Sequence, residues 1–389
     1  MPQIVLHFEQ EAGPDATVRH LRLEDGRSRH ALFFKFLNQS LPDPRVLDGF
    51  VAGVLAFAMG SAKDLRVRGP LTRQLLRNLQ EYQAAWHAWR PDRYTVIDVV
   101  PDSIVDDATG RTERGALSAF SGGIDSTFTA WRHSIKQQRE DSYHLRDVLL
   151  VHGFDVGLNN ASDFQSLIRR CEPLLDVLGL RLRLVSTNLK ETKLQDWEDS
   201  FAAQLACCLH QYSHEYKYAL LGSGEPYGAM VLPWGSNSVT DPLLSGGDMA
   251  LIHDGAGFTR TQKLQALLDA GLPLQGLRVC WEGKRQDRNC GRCEKCIRTH
   301  LSFLATGAAG APCFDNPLRL EDVKSVLIGN QVQFNQLRSV HDHGAARGLA
   351  NEPWAVVLRE RLNNYRPPGA AGVLLHAVRR KARSLLSGR

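Results

Sequence analysis

Between Gly115 and about Thr306, short apolar runs at residues 116–120, 147–152, 181–186 and 218–222 take turns with stretches of helical length. A parallel strand pair needs a crossover that carries the chain back along the sheet, and a helix supplies it, so this alternation predicts an α/β fold: a parallel sheet with helices on both faces. In such sheets ligands bind just beyond the carboxyl ends of the strands. The functional residues are therefore expected in the loops that follow the apolar runs.

The flanking segments read differently. Residues 1–112 mix strand segments (4–8, 65–68 and 94–100) with helices, the clearest at 72–89, where Leu75, Leu76, Leu79, Tyr82, Gln83, Trp86 and Trp89 recur at helical spacing and face a core. An N-terminal α+β domain of unassigned role is expected there, closed by the polar, turn-prone stretch 106–112. Residues 113–306 form the alternating domain. From the small-residue stretch 307–312 onward, the chain to residue 389 reads as a helical C-terminal extension ending in a basic segment, 373–383, expected as a solvated helix.

The run Ala119-Phe120-Ser121-Gly122-Gly123-Ile124-Asp125-Ser126-Thr127 sits where a strand should turn into a helix. At that point unpaired backbone N–H groups and the positive helix end attract phosphate, and glycines let the main chain come close. Ser121, Ser126 and Thr127 offer hydroxyls, and Asp125 is suited to hold Mg2+ or to orient the loop. The Walker lysine is missing, so positive charge must arrive from elsewhere. Arg260 and Lys263, three apart and on one face if helical, are the candidates.

Four of the eight cysteines crowd into 17 residues as Cys280-x9-Cys290-x2-Cys293-x2-Cys296, with Gly291 at the turn. Clustered thiols in a polar segment indicate metal before disulfide, and four of them close a tetrahedral Zn2+ site with no open position, which makes the site structural. An iron–sulfur cluster is the rival, although Thr299-His300 stands where a ferredoxin run continues with cysteine and proline. His300 is the alternative fourth ligand.

Ser-Gly-Gly-x-Asp-Ser at a strand-to-helix turn resembles the signature of the PP-loop ATP pyrophosphatase superfamily, and the four-cysteine segment about 155 residues later resembles the branch of 7-cyano-7-deazaguanine synthases. The likeness spans about half the chain, from Gly115 to Thr306. It implies a Rossmann-like PP-loop fold that binds ATP, with the loop holding the β and γ phosphates as a leaving pyrophosphate and the α phosphorus open to attack. It nominates Lys263 first and Arg260 second as phosphate contacts, and with Asp125 these form the expected catalytic set.

Other loops supply weaker candidates. Gly222 and Glu225 follow one strand, and Asp155 follows another, where ribose hydroxyls or Mg2+ lie within reach. His253 and Asp254 adjoin as a candidate acid–base pair, and Ser236, Asn237 and Asp241 are candidates for substrate selection. The activity expected is ATP-dependent adenylation of a carboxylate or carbonyl oxygen on a small molecule or protein, with release of pyrophosphate, followed by attack of ammonia or an amine. The alternatives are a tRNA-thiolating enzyme, for which Cys207 and Cys208 in an apolar helical run are poor sulfur carriers, and an ATP-binding sensor or assembly module.

With 43% hydrophobic residues, no apolar run of membrane-spanning length and no secretory leader pattern, the chain reads as cytoplasmic with no membrane partner. A net charge of +5 is too mild for a dedicated nucleic-acid binder, so nucleic acid is not favoured. A homodimer is compatible with the sequence.

Overall fold

The structure, a computed structural model, describes residues 3–106, 115–137 and 139–366. Most of the expected 106–112 turn and the basic segment 373–383 lie outside the described residues. In the first half come β1 (Gln3–Ala12), β2 (Ala16–Asp25), β3 (Ser28–Leu37), α1 (Asp48–Ser61), β4 (Asp64–Thr72), α2 (Arg73–Trp89) and β5 (Val99–Val105). The second half continues with β6 (Ala116–Ala119), α3 (Ile124–His133), β7 (Leu145–His152), α4 (Ala161–Leu178), β8 (Arg181–Thr187), α5 (Trp197–His210), β9 (Tyr218–Gly222), β10 (Ala250–Asp254) and α6 (Arg260–Asp269). Four helices close the described chain: α7 (Glu294–Ala305), α8 (Leu320–Ser325), α9 (Gln331–Ala346) and α10 (Pro353–Asn363).

The ten strands of the described residues join one sheet in the order β10-β9-β6-β7-β8-β3-β2-β1-β4-β5. Within β10 to β8 every pairing is parallel. The chain leaves β6 in one direction for β7 and β8, then returns to the other side of β6 for β9 and β10, so the strand order reverses beside β6, where a crevice opens at the strand ends. The seam to the first half is antiparallel, Phe34 opposite Thr187 and Lys35 opposite Ser186. The sheet therefore runs without a break past the boundary expected near residue 112.

Two departures from the sequence reading stand out in the first half. The strand expected at 94–100 lies later, at Val99–Val105, and Tyr94 is instead a core residue whose hydroxyl donates to Asp199 at 3.0 Å. The β2–β3 hairpin was not expected at all. It turns on Gly26 at φ +60°, a conformation that two-residue hairpin loops require and glycine adopts freely. Buried Arg19 disguises β2 because it stands where alternation calls for an apolar residue; its guanidinium is spent on Gln10, Pro42 and Gln211.

A single hydrophobic core runs from β1–β4, α1 and α2 into β6, β7, β9 and α5. The helix α2 contributes Leu75, Leu79, Tyr82 and Trp86, and Thr72 caps it by accepting from the Leu75 N–H. The opposite face of the second-half sheet packs on α3 and α4. The helices α7 to α10 share their own cluster around Leu301, Leu337, Trp354 and Leu358.

Contact between α1 and α5 is set by two glycines one turn apart. A Cβ on Gly49 would lie 2.3 Å from His210 Cβ, and one on Gly53 would lie 2.6 Å from Cys207 Cβ. Neither neighbour is the far end of a flexible chain, so the helices themselves must move. Gly53→Ala is expected to destabilise the protein by about 1–3 kcal/mol, read as a lower urea midpoint; an unchanged midpoint would show that the helices part freely.

Candidate functional site

The turn from β6 into α3 carries Ser121, Gly122 and Gly123, with Gly122 at φ +73°. No side chain caps α3, so its first-turn amides face outward from the positive helix end. The hydroxyls work inside the loop: Ser126 Oγ donates to the Gly123 carbonyl at 3.2 Å and accepts from the Ser121 N–H at 3.3 Å, while Ser121 Oγ accepts from the Gly123 N–H. Ser126 thus braces the turn. Thr127 is fully buried with an unpartnered hydroxyl and lies outside the cleft lining. Gly222 at the end of β9 presses on the same turn, since a Cβ there would stand 2.8 Å from the Asp125 carbonyl and 3.2 Å from the Ser126 nitrogen.

Asp125 meets both cations singled out from the sequence. Arg260 Nη2 donates to one carboxylate oxygen and Lys263 Nζ to the other, the latter at 3.3 Å, and Lys263 also donates to the Ser223 carbonyl at 2.5 Å. The two residues share a face of α6, whose start Thr259 and Gln262 fix by a reciprocal capping box. Burial opposes charge on Asp125, but Arg260 and then Lys263 outweigh it and hold the acid at about 2. Burial also pulls the Lys263 ammonium below its usual range against the pull of Asp125. A depressed carboxylate contributes stability that is complete above its unfolded value and is lost as pH falls through the folded one. Asp125 should therefore contribute about 2 kcal/mol above pH 4, lost between about pH 4 and pH 2. Acid unfolding of Asp125→Asn should lack that part of the slope; an identical slope would remove the ion pair from the account.

Asp125 and Arg260 line one open cleft together with Ser121, Gly123, Ile124, Asp155, Arg278, Val279, Cys280, Trp281 and Lys295, while Lys263, almost fully buried, stands behind Asp125. Asp155 is half-exposed, and burial is outweighed by Arg278 and Lys295, which hold it below the usual carboxylate range. Arg278 is the hub that sequence reasoning passed over. Its guanidinium donates to Asp155 at 2.9 Å and to the Gln286 carbonyl at 2.9 Å, and its backbone N–H donates to the Gly122 carbonyl at 2.8 Å. Its position two residues before Cys280 was the available signal. Lys295, beside Cys296, reads from the sequence, like Arg278, as the polar surroundings of a metal clip, and Trp281, beside Cys280, is not singled out there.

The cysteines converge. Cys280 and Cys293 sulfurs are 3.9 Å apart, Cys290 and Cys296 sulfurs 3.8 Å apart, and all four lie within 4.8 Å of one another. Tetrahedral thiolates at about 2.3 Å from a metal stand about 3.8 Å from each other, so the cluster fits a metal ion such as zinc. The N–H groups of Arg292 and Cys293 donate to Cys290 Sγ, which favours thiolate, and Gly291 at φ +73° makes that turn. Asn289 holds the arm, accepting from the Val279 and Cys280 N–H groups. His300 is not a ligand: it stacks on Phe314 with centroids 3.7 Å apart, and burial lowers it to about 4.

Several expected groupings dissolve. His253 pairs with Asp241 at 2.8 Å rather than with Asp254, which binds Thr129, Arg132 and His133. Successive strand residues point to opposite faces, which separates the adjoining pair. Ser236 and Asn237 also bond to Asp241, so that loop is an internal network. Glu225 lies outside the cleft, in a neighbouring crevice that shares Arg260 with it. Among the described residues no helix is long and apolar enough to cross a membrane. The chain matches no family model, no curated protein and no solved structure.

Proposed function

We propose that the cleft binds Mg·ATP and that the protein adenylates a carboxylate or carbonyl oxygen, releasing pyrophosphate, before an amine displaces AMP. The observation that carries this reading is Asp125 held between Arg260 and Lys263 at the uncapped start of α3, under a glycine turn, where the strand order reverses. The turn's likeness to the PP-loop ATP pyrophosphatases supports the same conclusion. Backbone amides and the helix end would take phosphate oxygens, and Arg260, Lys263 and Lys295 would neutralise the charge of the departing pyrophosphate. Asp125 and Asp155, the two carboxylates lining the cleft, are the oxygen ligands suited to Mg2+, which would supply charge neutralisation on the triphosphate. We assign zinc to the clip, where it would anchor the Arg278–Trp281 wall of the cleft.

Chemistry here is mainly alignment and charge stabilisation. Incubation with Mg·ATP and a fractionated cell extract is expected to yield AMP and pyrophosphate; ADP and phosphate as the only products would overturn the assignment. Thiolation of tRNA gains no support, since Cys171, Cys207, Cys208 and Cys313 are all buried and burial pushes each thiol up. A sensor that binds ATP without turnover would give a stable complex and no product in the same assay.

A further inference from the structure

Beside the cleft, across Arg260, lies a narrow second crevice, open to solvent, with room for about one water-sized group such as an amino head. Its walls come from the loop after β9 (Glu225, Pro226, Ala229) and from α9 (Val332, Ser339), so the C-terminal helices, which sequence reasoning left without a role, form half of it. The helix is tied to the loop by hydrogen bonds. Asn335 donates to the Ala229 carbonyl and Gln336 to the Gly224 carbonyl, both at 3.1 Å, while Gln336 accepts from Arg260 at 3.3 Å.

Glu225 stands in this crevice with one carboxylate oxygen left without a hydrogen bond. One carboxylate oxygen accepts from the Val231 N–H at 2.9 Å; the other is buried and has no hydrogen-bond partner. The Arg260 and Arg298 guanidiniums favour its charge, but each is committed to another carboxylate, Arg260 to Asp125 and Arg298 to Glu294 at 3.1 Å. Burial raises the Glu225 carboxyl above its ordinary range. Protonation does not resolve the problem, because the orphan oxygen would then carry a hydrogen with no acceptor. A buried polar atom without a partner is costly, and a ligand that donates N–H there would remove the cost. The Nε of Arg260 is likewise buried without a partner in the same wall, so acceptor and donor both await a small polar group.

We propose that this crevice binds the amino group of a primary amine, with Glu225 as the carboxylate that recognises it. The role in turnover rests on the adenylation reading, whereas the binding site does not. In the transfer Glu225 takes the proton that frees the nitrogen lone pair. That pair attacks the activated carbonyl carbon, and a C–N bond forms as the C–O bond to AMP breaks. AMP leaves with the electron pair, and a second N–H proton passes to solvent. Arg260, shared by both cavities, sets them side by side.

The test uses the full chain and three probes: methylammonium, a short peptide amide with a free amino terminus, and tetramethylammonium, which has no N–H to donate. Ligand-observed NMR should detect binding of methylammonium or the peptide but not of tetramethylammonium. Methylammonium alone would identify an ammonia-type donor, and the peptide alone an amino-terminal one. Glu225→Gln should weaken binding at least ten-fold, and Val332→Phe, which fills the crevice from α9, should abolish it; circular dichroism checks that both fold. Equal binding of tetramethylammonium, or unchanged binding to both variants, would overturn the proposal. Mg·ATP binding to the wild-type chain is measured in parallel. ATP bound without amine sinks the crevice and spares the nucleotide reading, and amine bound without ATP does the reverse.

Discussion

Stripping the metal from the four-cysteine clip, with a strong chelator or by Cys296→Ser, is expected to unfold the segment from Arg278 to the start of α7 and to loosen the helices packed on α7. Structural zinc contributes on the order of 10 kcal/mol in isolated fingers, comparable with the net stability of a whole domain. Here the loss reaches further than the clip. Cys293 is the N-cap of α7, and Ile297, Leu301 and Ala305 of that helix are the base on which α8 to α10 pack. On the other side, Arg278 donates its backbone N–H to the Gly122 carbonyl, so freeing Cys280 also frees the glycine turn before α3. Demetallated protein should therefore lose both thermal stability and ATP binding. Elemental analysis of protein purified under reducing conditions should find one metal ion per chain. A chain that carries none, or an unfolding curve indifferent to chelation, would refute the clip as a metal site, and iron in place of zinc would revise its identity.

The second large effect concerns Lys263. Lys263→Ala is expected to lower AMP formation by about 10²- to 10³-fold, the usual consequence of removing one preorganised donor from developing negative charge. It should also destabilise the fold by about 3 kcal/mol, since Asp125 keeps only Arg260 and the Ser223 carbonyl loses its donor at a nearly fully buried position. Two readouts separate the effects. If AMP formation falls no further than the folded fraction, Lys263 is a structural residue only. Gly222→Ala offers a cleaner probe of geometry, because the added methyl meets the Asp125 carbonyl and displaces the turn without touching any charge; ATP binding should weaken at least ten-fold.

What was legible in the sequence was local. The glycine turn falls between β6 and α3, and the capped start of α2 falls within a residue of its expected place, because turn chemistry, capping and apolar period are written in consecutive residues. The cysteine spacing likewise brings four sulfurs together with one turn at Gly291. The β2–β3 hairpin was readable in Asp25-Gly26 between alternating apolar residues, but Arg19 interrupted the pattern.

The pairing of Asp125 with Arg260 and Lys263 joins residues 135 and 138 positions apart, and no local period encodes it; it follows from the strand order that sets β6 against β9 and β9 against β10. Arg278 as hub, Glu225 facing α9 rather than the cleft, and the seam between β3 and β8 that makes one sheet of two halves have the same origin. A chain's sequence states which groups each element can offer. Which groups meet depends on how elements far apart in the chain share one buried core, and only the tertiary structure decides that.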